Sequence, residues 1–156
     1  MAIDRAMVTA SVRANSATAR AVSARSLNVS IEKSGTDNGG STELIFPIVT
    51  EFGISKEHIF ANVFTFDETG LINGVDSSQF LAQKPGKINA VKSLNLNGTI
   101  IAIGDGWTDY QIKESGLAHY FIAYTESVIR KPVIKKGDTV ATSFHDVLDF
   151  LNSIKK

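Results

Sequence analysis

Thr99-Ile100-Ile101-Ala102-Ile103-Gly104-Asp105-Gly106-Trp107-Thr108-Asp109 decides the fold. Residues 99–103 run without polar alternation, the pattern of a strand buried on both faces of a parallel sheet. Gly104 and Gly106 follow at once and let the backbone turn sharply without a Cβ clash. A helix is expected from about Thr108 to Ser115, stopped by Gly116. Asp105 then projects from a strand tip, and Asp109 lies one helical turn on, on the same side. Ligands in open α/β sheets bind beyond the carboxyl ends of strands. Two carboxylates placed there suit a hard cation such as Mg²⁺. The bland alternative is a capping Asp in a plain strand-to-helix loop.

Outward from this stretch the chain alternates strands with helices. Ser41 or Thr42 caps a helix whose apolar face is Leu44, Ile45, Ile48, Val49 and Phe52, ended by Gly53. Residues 59–66 read as one strand, 67–70 as a turn and 71–75 as the returning hairpin strand. Pro85 opens a helix through Leu94. Residues 120–124 and 139–142 read as strands, and 144–154 as a last helix. The pattern predicts an α/β fold with a largely parallel sheet. Lys135-Lys136 reads as a solvated turn, and His58, His119 and His145 as surface or structural residues.

Toward the N-terminus the composition changes. Four of the five Arg are Arg5, Arg13, Arg20 and Arg25, whereas all eleven Lys lie at 33 or later. The first 26 residues also hold eight Ala and a single acid, Asp4. A solvated surface accepts either cation, so the segregation reads as two coding histories joined within 27–40. This gives an unrelated segment, 1–37, and an α/β domain, 38–156. Ile3, Ala6, Ala10, Ala14, Ala17, Ala21 and Ala24 recur at helical spacing. Ala6, Val8, Ala10 and Val12 also alternate, with Asn15-Ser16 as a turn, which is a hairpin pattern. Helix is ahead because Ala is the best helix former. Leu27, Val29 and Ile31 alternate with polar residues as a short strand, and 35–40 reads as a loop.

Bulk properties exclude several classes. The 156 residues are 43% hydrophobic and 21% charged, which fits a globular domain rather than a disordered chain. A net charge of zero argues against nucleic-acid binding carried by charge. The lack of cysteine rules out disulfides and thiolate metal sites. No run approaches the length of a membrane span, and the N-terminus lacks the apolar core of a signal peptide, so a cytoplasmic location is the expectation.

Gly104-Asp105-Gly106-Trp107-Thr108-Asp109 resembles the fourth motif of the haloacid dehalogenase superfamily, and its surroundings resemble the phosphoserine phosphatase-like branch. Asn38-Gly39-Gly40-Ser41-Thr42-Glu43-Leu44-Ile45 is similar to the second motif, a Ser-Gly-Gly segment opening a helix. Phe60-Ala61-Asn62-Val63-Phe64-Thr65-Phe66-Asp67, then Gly70 and Gly74-Val75, resembles the hairpin of that branch. Lys84-Pro85-Gly86-Lys87 looks like the third motif. The resemblance covers 38–156 and implies a Rossmann-like haloacid dehalogenase-type sheet. It implies Asn38, Gly39, Gly40 and Lys87 as phosphate-binding residues. It implies Asp105 and Asp109 at the metal, with Asp109 also suited to orienting Lys87 or a water.

The departures from the family decide the functional expectation. The family attacks phosphate with the first Asp of an Asp-x-Asp motif at the tip of its first strand, and uses the second as general acid. The nine Asp here are at 4, 37, 67, 76, 105, 109, 138, 146 and 149, and no two are separated by one residue. The helical cap between the first two motifs is also absent, and Asn38 stands where Ser is expected. Without the nucleophile there is no aspartyl-phosphate intermediate, and a missing member of a concerted set removes nearly all of the rate. The expected sheet is therefore truncated, lacking the usual first strand and cap. The expected function is a remnant of a phosphoserine phosphatase-like hydrolase that keeps a phosphate pocket with weak Mg²⁺ binding. The alternative is an active Mg²⁺-dependent phosphomonoester phosphatase whose nucleophile comes from another chain or an unrecognised residue. The expected ligand is a phosphate-bearing small molecule.

The missing strand has a structural corollary. In the family it lies centrally, between the second-motif strand and the strand before the fourth motif. Its loss leaves backbone groups unpaired in a buried place. Residues 27–32, the N-terminal segment or another copy of the chain would fill the gap. A homo-oligomer, most simply a two-fold dimer exchanging the N-terminal segment, is the expectation. A single chain folding residues 5–32 back into the sheet is the alternative.

Overall fold

The computed structural model describes residues 6–9, 27–30, 42–51, 56 and 59–154. In chain order these form β1 (Ala6–Thr9), β2 (Leu27–Ser30), α1 (Thr42–Thr50), β3 (Ile59–Phe60), β4 (Phe64–Phe66) and β5 (Ile72–Val75). A single 3₁₀ turn, Phe80–Ala82, leads to α2 (Gly86–Ser93). Then come β6 (Ile101–Gly104), α3 (Trp107–Glu114), β7 (Tyr120–Tyr124), α4 (Lys131–Ile134), β8 (Thr139–Ala141) and α5 (Phe144–Ser153). The result is the α/β architecture expected from the alternation of elements.

The sheet around β6 carries the core. β6, β7 and β8 are parallel, with Ile101 opposite Tyr120 and Ile122 opposite Thr139. All four residues of β6 are buried, as a strand covered on both faces requires. The pleat sorts them: Ala102 joins Val91, Ile112, Phe121 and Val133 on the face covered by α2, α3 and α4. Ile101 and Ile103 join Ile122, Ala141 and Val147 on the face covered by α5. His119 is structural, since its Nδ1 accepts the Ile100 amide at 3.1 Å. α5 starts at a reciprocal cap in which Ser143 Oγ accepts the Asp146 amide and Asp146 accepts the Ser143 amide.

The N-terminal strands complete this picture. β1 pairs in parallel with β2, and β2 with β3. On its other side β1 runs alongside β6. β1-β2-β3 and β6-β7-β8 are separate three-stranded sheets, and they lie side by side through β1 and β6, which puts β1 in the place expected to be empty. Within the one chain, β1 is thus a neighbour of β6. The helical reading of the N-terminus is corrected at residues 6–9, which are extended. Ala propensity is a weak prior, and a central sheet position overrides it. The remainder of the alanine stripe lies outside the described residues.

Smaller differences have local causes. The single strand expected over 59–66 is two, β3 and β4, which belong to different sheets. Between them the Asn62 carbonyl accepts both the amide and the hydroxyl of Thr42, at 2.7 and 3.2 Å. That contact ties the start of α1 to the sheet. β4 and β5 form the expected hairpin, whose turn uses Gly70 at φ 82° and the Asp67 carboxylate accepting the Thr69 and Leu71 amides. α4 was not foreseen. It places Lys136 just beyond its end, 5.9 Å from the Trp107 ring and 5.3 Å from that of Tyr110.

Candidate active site

The described residues of the candidate site meet at the carboxyl end of β6. The strand delivers Gly104 and Asp105, the turn continues through Gly106, and α3 begins at Trp107. Asp109, in the first turn of α3, folds back under the loop. Its Oδ2 accepts the Gly106 amide at 3.0 Å. Its Oδ1 accepts Lys87 Nζ at 2.6 Å. Both side chains are buried, at 6% exposure for Lys87 and 3% for Asp109. Lys87 reaches the loop from the first turn of α2, so this ion pair fastens α2 to the β6–α3 turn.

The glycine at 104 has a steric reason. A Cβ there would stand 2.2 Å from the Asp109 carboxylate. Neither Gly104 nor Gly106 has a positive φ. The turn at Gly104 therefore needs space for the folded-back carboxylate, not the left-handed backbone that glycine usually supplies.

Asp105 is handled differently. Its carboxylate pairs with Arg130 Nη1, and the same nitrogen donates to the Asp105 carbonyl at 3.0 Å. The Asp105 side chain is 11% exposed and that of Arg130 36%. Arg130 is the residue the sequence reading missed. The signal was present: it is the only Arg after residue 26, in a stretch whose other basic side chains are all Lys. The guanidinium stays charged at any working pH, and one of its nitrogens serves two oxygens of the same residue.

Of the expected site residues, Lys87 and Asp109 are in direct contact, and Asp105 stands at the β6 tip four residues away. Asn38, Gly39 and Gly40 lie outside the described residues. A cleft of about 410 Å³ opens beside the start of α2, lined in part by Lys84, Lys87, Thr108 and Gln111. Trp107 packs 5.1 Å from Tyr110, which is local packing.

The donors suit a modest cation site. Mg²⁺ takes one or two carboxylates and completes its octahedron with water and phosphate oxygens. Asp105 supplies one hard carboxylate at the strand tip. Asp109 is neutralised by Lys87 and Asp105 by Arg130, so a cation would have a single carboxylate, that of Asp105, and only by displacing Arg130. Among the described residues no group of three or more His, Cys, Asp or Glu could cage a metal.

Comparison with known proteins assigns the lineage. The chain is 31% identical to the chloroplastic phosphoserine phosphatase of Arabidopsis thaliana over 118 residues, 74% of this chain and 40% of that protein. It is 30% identical to the phosphoserine phosphatase of Drosophila melanogaster over 115 residues, 71% of this chain and 42% of that one. A crystal structure of a phosphoserine phosphohydrolase-like protein from Francisella tularensis subsp. tularensis SCHU S4 superposes with a TM-score of 0.69 at 31% identity, covering 85% of this chain and 59% of that chain. The chain is related to the phosphoserine phosphatase-like branch of the haloacid dehalogenase superfamily. It spans about two fifths of the length of the curated relatives it matches. The structure of DsGPDH of Dunaliella salina shares the fold at 21% identity, with a TM-score of 0.55. No family model matches the chain. No helix among the described residues is long and apolar enough to cross a membrane.

Proposed function

We propose that this phosphoserine phosphatase-like chain binds a phosphate-bearing small molecule, with weak Mg²⁺ binding, and does not perform the ancestral hydrolysis. The observation that carries the reading is what occupies the central strand position. β1 lies between β2 and β6, and the residues that follow it are Ala10-Ser11-Val12, without a carboxylate. The family places its nucleophilic Asp just beyond that strand. Two further motifs support the reading: Lys87 is held by Asp109, and Asp105 stands at the strand tip. A replaced N-terminus, joined to the phosphatase-like domain within 27–40, accounts for a strand that fits the sheet but lacks the chemistry.

In this reading Lys87 supplies positive charge to the phosphate, and Asp109 fixes where that charge sits. The glycine-rich segment Asn38-Gly39-Gly40 precedes α1 and would add amide donors at its N-terminus. Mg²⁺ held by Asp105 would neutralise phosphate oxygens and lower their repulsion. Titration of the full chain with inorganic phosphate, followed by calorimetry, tests the pocket. Saturable binding that strengthens with Mg²⁺ is expected. An absence of binding at millimolar phosphate, with or without Mg²⁺, removes the reading.

The assembly proposal is separate. A two-fold dimer remains the proposed state, now without an empty sheet position as its reason. Light scattering on the full chain decides it, and a monodisperse monomer ends the proposal.

A further inference from the structure

Arg130 holds the one strand-tip carboxylate that a cation would use. Its backbone is fixed, because its carbonyl accepts the amides of Val133 and Ile134 at 2.9 and 3.0 Å, and Val133 is buried in the core. From that anchor the side chain reaches back across the end of the sheet to Asp105. One nitrogen, Nη1, engages both the carboxylate and the carbonyl of Asp105. Bonding a residue at its side chain and backbone together fixes the carboxylate's direction.

We propose that Arg130 is a tethered counter-ion that competes with a divalent cation for Asp105 and so sets the metal affinity of the pocket. The inference deepens the pocket reading above and rests on it for the cation at Asp105. A dication on that carboxylate stands beside the guanidinium, and like charges this close repel strongly where water is scarce. Relief comes when Arg130 swings outward, for which its 36% exposed side chain has a path to solvent. Cation binding must then break a charge-assisted pair, and that cost appears as weakened affinity. The linkage is reciprocal: whatever draws Arg130 away from Asp105 tightens the cation, and the cation releases Arg130. Lys87 is not part of the exchange, because Asp109 neutralises it within the core.

The test is Mn²⁺ binding to the full chain at fixed ionic strength, read from the free-ion EPR signal, with folding checked by thermal melting. Arg130→Gln is expected to bind Mn²⁺ about tenfold more tightly than the parent, the factor expected from removing one charged hydrogen bond. The gain should vanish in Arg130→Gln combined with Asp105→Asn. Unchanged or weaker binding by Arg130→Gln overturns the proposal, and so does a gain that survives loss of Asp105. A second measurement needs no variant at position 130. In the parent chain, Mg²⁺ should shift the Arg130 side-chain NMR resonance over the concentration range that saturates the site. A resonance that does not move while Mg²⁺ binds overturns the proposal equally. Phosphate titration reports separately on the pocket, so the two readings fail by different measurements.

Discussion

Two carboxylates four residues apart, one at the β6 tip and one in the first turn of α3, lead different lives. Asp109 is sealed into the core with Lys87, at 3% and 6% side-chain exposure. Asp105 meets Arg130 at the surface end of the sheet, where the arginine is 36% exposed. A buried pair is costly to break, because the partner left behind is a charge without compensation in a low dielectric. A pair at the boundary can open, because water replaces what is lost. The first pair is therefore scaffold and the second is exchangeable. That division matches the roles proposed for them: the scaffold fixes a lysine, and the exchangeable carboxylate is the one proposed to take a cation.

The largest effect expected is on the scaffold. Lys87→Ala leaves Asp109 buried and unpaired and should cost about 3–5 kcal/mol by urea denaturation. Replacing both partners, Lys87→Met with Asp109→Leu, should cost less than the sum of the two single changes. A double-mutant cycle with no coupling would show that the pair is not the fastening described. Next comes Gly104→Ala, whose new Cβ falls on the Asp109 carboxylate. A loss of about 1–3 kcal/mol, the range for overpacking, is expected in the same assay. A neutral result would mean that the loop yields freely.

Asp105→Asn weakens a charge-assisted pair whose carboxylate is 11% exposed but whose arginine is 36% exposed, and should cost about 1–2 kcal/mol, less than Lys87→Ala. If it costs as much as Lys87→Ala, the contrast between the two carboxylates collapses. The smallest effect concerns aspartates outside the site. The Thr142 side chain bonded to Asp146, the Thr69 side chain bonded to Asp67 and the Gln79 side chain bonded to Asp76 hold all three carboxyls below their ordinary value of 3.8. A depressed folded value means that the stabilisation is fully present above the unfolded value. It is lost as pH falls through the lower folded one. Melting temperature should accordingly drop as pH falls below about 4. Asp146→Asn should flatten that drop in part, and an unaltered pH profile in that variant would contradict the assignment.

The sequence revealed the second half of the chain better than the first, for a physical reason. Residues 99–124 carry a doubly buried strand, a glycine turn and a short helix, each with a strong local pattern, and the structure follows their bounds within two residues. The N-terminal residues carry two patterns at once, a helical alanine stripe and a two-residue alternation. Ala6–Thr9 is extended because β2 and β6 flank it, and long-range pairing leaves no trace in local spacing. At the site, Lys87, Asp105 and Asp109 were legible as motif residues. The partner of each carboxylate was legible only for Asp109. Arg130 lies 25 positions from Asp105, and only the sheet topology brings them together.

The central claim is a pocket without its nucleophile, and turnover tests it most directly. The purified chain is incubated with an aryl phosphate and Mg²⁺, and phosphate release is compared with that of Asp105→Asn. The account predicts no release by the parent chain above the rate of the variant. Steady turnover that Asp105→Asn abolishes would contradict it, since the nucleophile would then have to come from a residue or a second copy that this reading leaves out.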